Sequence, residues 1–238
     1  MTRSAEEVRG YLAGQVNQAT RRLGMFSDET SLLLLFRALA FTDGLEDQWD
    51  AEHESLRKRG AFLSTGVHGA FQYVLPDVGR GDAAIASVYA EFAHRVGWLA
   101  LDRTLTGPEY DTLRALILGW VTADRTMSDV TATFGPPSLL LGGTNLRYPK
   151  TLLYATARQK PIVCFHLWNK LTGVEAQAVH DEPVPLAVRT GGEPFTSSLI
   201  FTPEGIRRRP TASSRFESSA DPVQHGNPPL PATTPHSW

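Results

Sequence analysis

A chain of 238 residues that is 42% hydrophobic can bury a substantial core, as one large domain or two modest ones. Its net charge of −2 gives no general attraction to nucleic acid or an anionic membrane, so neither is expected as a partner. Only four of the 23 basic residues are lysines, which reads as a GC-rich coding bias, and Cys164, the lone cysteine, excludes an intrachain disulfide.

The N-terminus, Met1-Thr2-Arg3-Ser4-Ala5-Glu6-Glu7, lacks the apolar core of a signal peptide. The longest apolar run, Leu32 to Phe36 continued from Ala38 to Phe41, is too short to span a bilayer. A cytoplasmic protein is the expectation.

Up to about Thr126, apolar residues recur at helical spacing in six successive segments. Ser4 with Glu7 is a capping box, and Val8, Tyr11, Leu12 and Val16 then fall on one face, with Gly24 placed to end the helix. Ser27 or Asp28 caps the second helix, whose run Leu32-Leu33-Leu34-Leu35-Phe36 is apolar nearly all round. Such a helix belongs in the middle of a bundle, with Leu34 and Leu35 in the core. A third helix over 45–59 starts acidic and ends basic, which complements the helix dipole, and Gly60 supplies its stop. Trp49, His53 and Leu56 form its buried stripe. Three more helices are predicted over 65–75, 82–99 and 107–121, the last opened by Thr106, Pro108 and Glu109.

After Thr126 the pattern changes. Thr126 with Asp129 caps a short helix over 127–134, stopped by Gly135-Pro136-Pro137. Strands are predicted over 139–141, 151–156, 161–168, 174–179, 185–190 and 197–202, separated by glycine-rich breaks. The connections are too short for crossover helices, so the sheet should be an antiparallel meander. The fold class is therefore α+β: a helical bundle over 1–124, a helix plus antiparallel sheet over 125–205, and a disordered tail over 206–238. That tail holds six of the 16 prolines and cannot bury enough apolar surface to offset its ordering entropy. Arg207-Arg208-Arg209 reads as a solvated basic run, and Pro228-Pro229-Leu230-Pro231 as a polyproline II segment open to recognition.

The stretch Thr126-Met127-Ser128-Asp129-Val130-Thr131-Ala132-Thr133-Phe134-Gly135-Pro136-Pro137-Ser138 resembles the opening of the SmpA/OmlA and beta-lactamase-inhibitor-protein-like domains. In those a capped helix ends in Gly-x-Pro and feeds an antiparallel meander. The resemblance covers residues 126–203 and implies a domain that binds proteins through its sheet, with no catalytic residue to carry over. The chain departs from that group in lacking a signal segment and a cysteine pair. Arg22-Leu23-Gly24-Met25-Phe26, before the apolar helix, is similar to the immunity-type proteins of bacterial toxin systems.

No set of residues has the types and spacing that a known chemistry demands. Cys164 and His166, two apart on the strongest strand, share a face but diverge too far for a nucleophile pair, and both faces of that strand are apolar, so Cys164 reads as structural. The seven histidines form no metal-ligand spacing, so neither metal nor other cofactor is expected. Ser64, Thr65, Gly66 and His68 are the remaining candidate: small residues at a helix start leave backbone N–H groups free to meet an anion. A plain N-cap explains the same residues. The leading expectation is a non-enzymatic factor that binds another protein, immunity- or inhibitor-like, with its specificity on the sheet. The alternative is a hydrolase or small-molecule-binding enzyme with a cleft near His68.

Overall fold

The computed structural model describes residues 4–79 and 81–210. Ser4 Oγ accepts from the Glu7 N–H at 3.2 Å and the Glu7 carboxylate accepts from the Ser4 N–H at 2.7 Å, opening α1 (Ala5–Arg21). Asp28 caps α2 (Glu29–Asp43) by accepting from the Ser31 N–H at 2.7 Å. Next come α3 (Glu46–Lys58), α4 (Gly66–Val74), the single turn α5 (Pro76–Gly79) and α6 (Asp82–Val96). The Thr106–Glu109 and Thr126–Asp129 capping boxes start α7 (Gly107–Trp120) and α8 (Met127–Phe134).

The sheet follows as expected in kind. Its strands are β1 (Leu139–Leu141), β2 (Lys150–Tyr154) and β3 (Val163–Trp168), then, past a small excursion, β6 (Val184–Arg189) and β7 (Leu199–Phe201). All neighbours are antiparallel in the order β1-β2-β3-β6-β7, so the chain is α+β with a five-stranded meander. The strand expected over 174–179 is not formed. The excursion is a hairpin of two-residue strands, β4 (Leu171–Thr172) and β5 (Gln177–Ala178), because Gly173 (φ 72°) and Ala176 (φ 49°) turn the chain between them.

Packing corrects the picture of two separate halves. One apolar cluster joins Val16, Phe36, Trp49 and Tyr89 of the helices to Leu153, Cys164 and Leu199 of the sheet, so the expected boundary near 124 does not divide the core. A second cluster lies on the opposite sheet face, where Leu113, Ile117 and Trp120 of α7 and Val130 of α8 meet Leu152, Tyr154 and Phe165. The sheet is thus the middle layer, and α7 belongs with α8 rather than with the bundle. Being covered on both sides explains why β2 and β3 are buried at every position.

The central helix is α6, not α2. Twelve consecutive residues of α6, Ala83 to His94, are buried, since its alanines let helices and sheet approach on several sides. In α2 only Leu32, Phe36, Leu39 and Ala40 face inward, while Leu34 is 64% exposed and Leu35 only half-buried. In α1, Val16 is buried but Val8 and Tyr11 are exposed.

Order extends past the expected start of the tail. Thr202 caps α9 (Pro203–Arg207), and the arginines after it are not a solvated run. Arg208 lies 3.4 Å from the Trp168 ring centroid and bonds Asp77 at 2.9 Å and Glu204 at 2.5 Å. Arg207 bonds Asp124 at 2.6 Å. An aromatic face and spaced carboxylates, remote in sequence, hold these cations in place. Arg208→Ala should therefore cost about 1–2 kcal/mol, read as a lowered denaturation midpoint, where a solvated arginine would cost nothing. The remainder of the expected tail, residues 211–238 with its proline-rich segment, lies outside the described residues. No helix among the described residues is long and apolar enough to cross a membrane.

Candidate functional site

The helix start at Ser64, Thr65, Gly66 and His68 does meet an anion, and the anion is the protein's own. Glu29, in the first turn of α2, accepts from the N–H groups of Val67 at 2.7 Å and His68 at 3.1 Å. The Tyr89 hydroxyl donates to the same carboxylate at 2.5 Å. Free N–H groups at the α4 terminus and the positive end of its dipole explain the attraction. Glu29 thereby ties α2, α4 and α6 together, and it leaves these backbone donors no vacancy for an external anion. The His68 side chain is exposed.

Cys164 and His166 lie on the sheet face packed against α6, both fully buried. No hydrogen bond joins them among the described residues. The His166 ring bonds the Thr151 hydroxyl at 3.2 Å and meets the edge of Phe71 at 5.1 Å between centroids. Burial, helped by the charge of Arg189, holds His166 well below its usual pKa and therefore neutral. Burial pushes the Cys164 thiol up to about 11, against the pull of Arg189. A thiol so protonated and enclosed is no nucleophile. It should resist alkylation in native buffer and react only after denaturation; fast native labelling would contradict the assignment.

Arg189 explains much of this environment, and the sequence concealed it among strand residues. It lies on β6, its side chain only 2% exposed, and it pairs with Glu91 of α6. Its guanidinium also donates to the Ser87 carbonyl at 3.1 Å and to the Cys164 sulfur at 3.4 Å. Glu91 lies 3.7 Å from Arg59, which lies 3.4 Å from Glu52, which pairs with Arg95 at the surface. This chain of alternating charges links α3, α6 and β6. Its members satisfy one another, so it reads as a structural strut and offers no reacting group.

The group of residues best arranged to receive a ligand lies beside the start of α6. A cleft of about 560 Å³ opens between the turn after α1, the first residues of α6 and the loop from β1 to β2. Met25, Gly81, Asp82, Gly142, Asn145 and Tyr148 are among its lining residues. Gly24, at φ 84°, lets the Asp82 carboxylate lie against the backbone, where an added Cβ would stand 1.8 Å from Oδ2. Gly142, at φ 92°, does the same for the Pro149 carbonyl, 2.8 Å from such a Cβ. These two approaches shape the walls.

Asp82 makes no ion pair and receives no side-chain hydrogen bond among the described residues. Burial raises its pKa above the usual carboxylate value, and Glu29 adds to this, while its own backbone N–H and His68 oppose. His68 therefore acts on the cleft from outside its lining. Lys150 stands behind the opposite wall, next in chain to Pro149. It is 1% exposed, donates to the Gly142 carbonyl at 3.2 Å and has no carboxylate partner among the described residues. Burial brings its pKa down to about 8.

Neither Asp82 nor Lys150 belongs to a sequence motif, and the only signals were the glycine pair Gly142-Gly143 and a lysine at the start of an apolar strand. Among the described residues no cluster of three His, Cys, Asp or Glu side chains could hold a metal ion. Comparison with protein-family models, curated proteins and solved structures finds no match to this chain.

Proposed function

We propose that the protein binds a small molecule in the cleft at the start of α6, with Asp82 anchoring a cationic or hydrogen-bond-donating group. The observation that carries this reading is an unpaired, partly desolvated carboxylate in the wall of a cavity of about 560 Å³, a size suited to a small ligand. It is the small-molecule alternative read from the sequence, with the cleft displaced from His68 to the neighbouring Asp82. The lone, buried thiol supports a cytoplasmic setting.

Binding of another protein, immunity- or inhibitor-like, is the second reading. Its expected surface, the sheet, is covered on both faces. What favours it now is α2, where Leu34 and Phe41, seven residues apart on one stripe, are 64% and 75% exposed.

A thermal-shift screen of small amines and polar metabolites separates the two. At least one class should raise the melting temperature, and Asp82→Asn should weaken that ligand at least tenfold. The double variant Leu34→Glu, Phe41→Glu should leave it unchanged. The variant's own stability checks the electrostatics. A carboxyl whose folded pKa is raised destabilises the fold once pH exceeds its unfolded value near 3.8, with the full penalty above the folded pKa. Asp82→Asn should therefore melt at or above the parent at neutral pH, an advantage that fades in acid. A ligand that binds Asp82→Asn as tightly as the parent would remove the cleft reading.

A further inference from the structure

Lys150 is the most anomalous ionisable group in the sheet. Its ammonium can donate three hydrogen bonds, yet it meets one carbonyl, that of Gly142, and no counter-charge among the described residues. Each other lysine is an ordinary surface group: Lys58 is paired with Glu54, Lys160 with Asp111, and Lys170 is exposed. A cation in the sheet layer without a partner conflicts with every packing preference around it, and such conflicts concentrate at functional positions.

Its position relative to the cleft gives the conflict a use. Pro149, its chain neighbour, and Gly142, its only hydrogen-bond partner, both line the cavity that Asp82 enters from the other side. Four rotatable bonds carry the amine from the Gly142 carbonyl toward that space. We infer that Lys150 is a reactive amine whose partner is a small aldehyde or ketone held in the Asp82 cleft, a class assignment that rests on the cleft being a ligand site.

The step balances without any further reagent. The neutral amine attacks the carbonyl carbon, forming a C–N bond as the C=O π bond breaks to a carbinolamine. Loss of the former carbonyl oxygen as water, with the two amine protons, leaves an imine. Asp82, holding its proton to higher pH than an ordinary aspartate, is the acid on the facing wall that can assist departure of that water. With a pKa near 8 against 10.5 for an ordinary lysine, Lys150 carries on the order of a hundredfold more free amine at neutral pH.

The experiment uses the full chain and 2,4-pentanedione, which condenses with free amines to a stable enaminone. After brief treatment at neutral pH, the four lysines are compared by peptide mass mapping. Lys150 should be modified at least tenfold faster than Lys58, Lys160 and Lys170, although they are exposed and it is buried. A ligand from the amine screen should slow that reaction, and Lys150→Met should fold and lose the fast phase alone. Modification in order of exposure, with Lys150 last, overturns the inference. If Lys150 stays unmodified while the screen still finds Asp82-dependent ligands, the carbonyl class fails and the cleft stands. If no ligand depends on Asp82, and Lys150 reacts no faster than the others, both fail.

Discussion

Glu91→Ala should cost about 3–5 kcal/mol, enough to unfold a marginal domain at physiological temperature. The loss comes less from the attraction removed than from the charge left behind. Arg189 is 2% exposed and its only carboxylate partner among the described residues is Glu91, so truncation strands a guanidinium between α6 and β6. Arg59 would lose one of its two carboxylates as well. Pairing the change with Arg189→Met should restore much of the lost stability, because an apolar pair fills the space without an uncompensated charge. Chemical denaturation of the two single variants and the double variant measures this coupling. Simple additivity would mean that the buried pair is not the strut described.

Phe36→Ala should cost a comparable 3–5 kcal/mol, and Leu34→Ala, two residues earlier, within about 0.5 kcal/mol of nothing. Phe36 is fully buried among Trp49, Tyr89, Phe92 and Trp98, with ring centroids 5.2–6.4 Å away. Its removal opens a cavity bounded by rigid rings that cannot collapse into it. Leu34 points to solvent. Equal effects at the two positions, measured by thermal melts, would contradict the orientation of α2.

The contrast between these neighbours marks how far the sequence could be read. Local signals were legible because their physics is local: the Ser4–Glu7, Thr106–Glu109 and Thr126–Asp129 boxes each open a helix where expected. The antiparallel meander followed from short connections. What a helix packs against is not local. The leucine run of α2 looked central by composition alone, whereas the alanine-rich α6 earned that place by being narrow enough to sit between helices and sheet. Nothing in the periodicity of α7 distinguished the far face of the sheet from the bundle.

The site was less legible still. The α4 start was correctly read as attractive to an anion, but one sequence could not tell that Glu29, 38 residues earlier, would supply it. Asp82, Lys150 and Arg189 acquire their character from desolvation and from partners brought by remote segments. The sequence shows only a helix-start aspartate and two basic residues at strand ends.

Nuclear magnetic resonance of the labelled chain, titrated with the first ligand from the screen, tests the cleft most directly. The largest shift changes should fall on Met25, Asp82, Gly142, Asn145 and Tyr148, and should shrink in Asp82→Asn at equal ligand. Saturating changes confined to the outer stripe of α2, around Leu34 and Phe41, with the cleft signals unmoved, would contradict a small-molecule site at the start of α6.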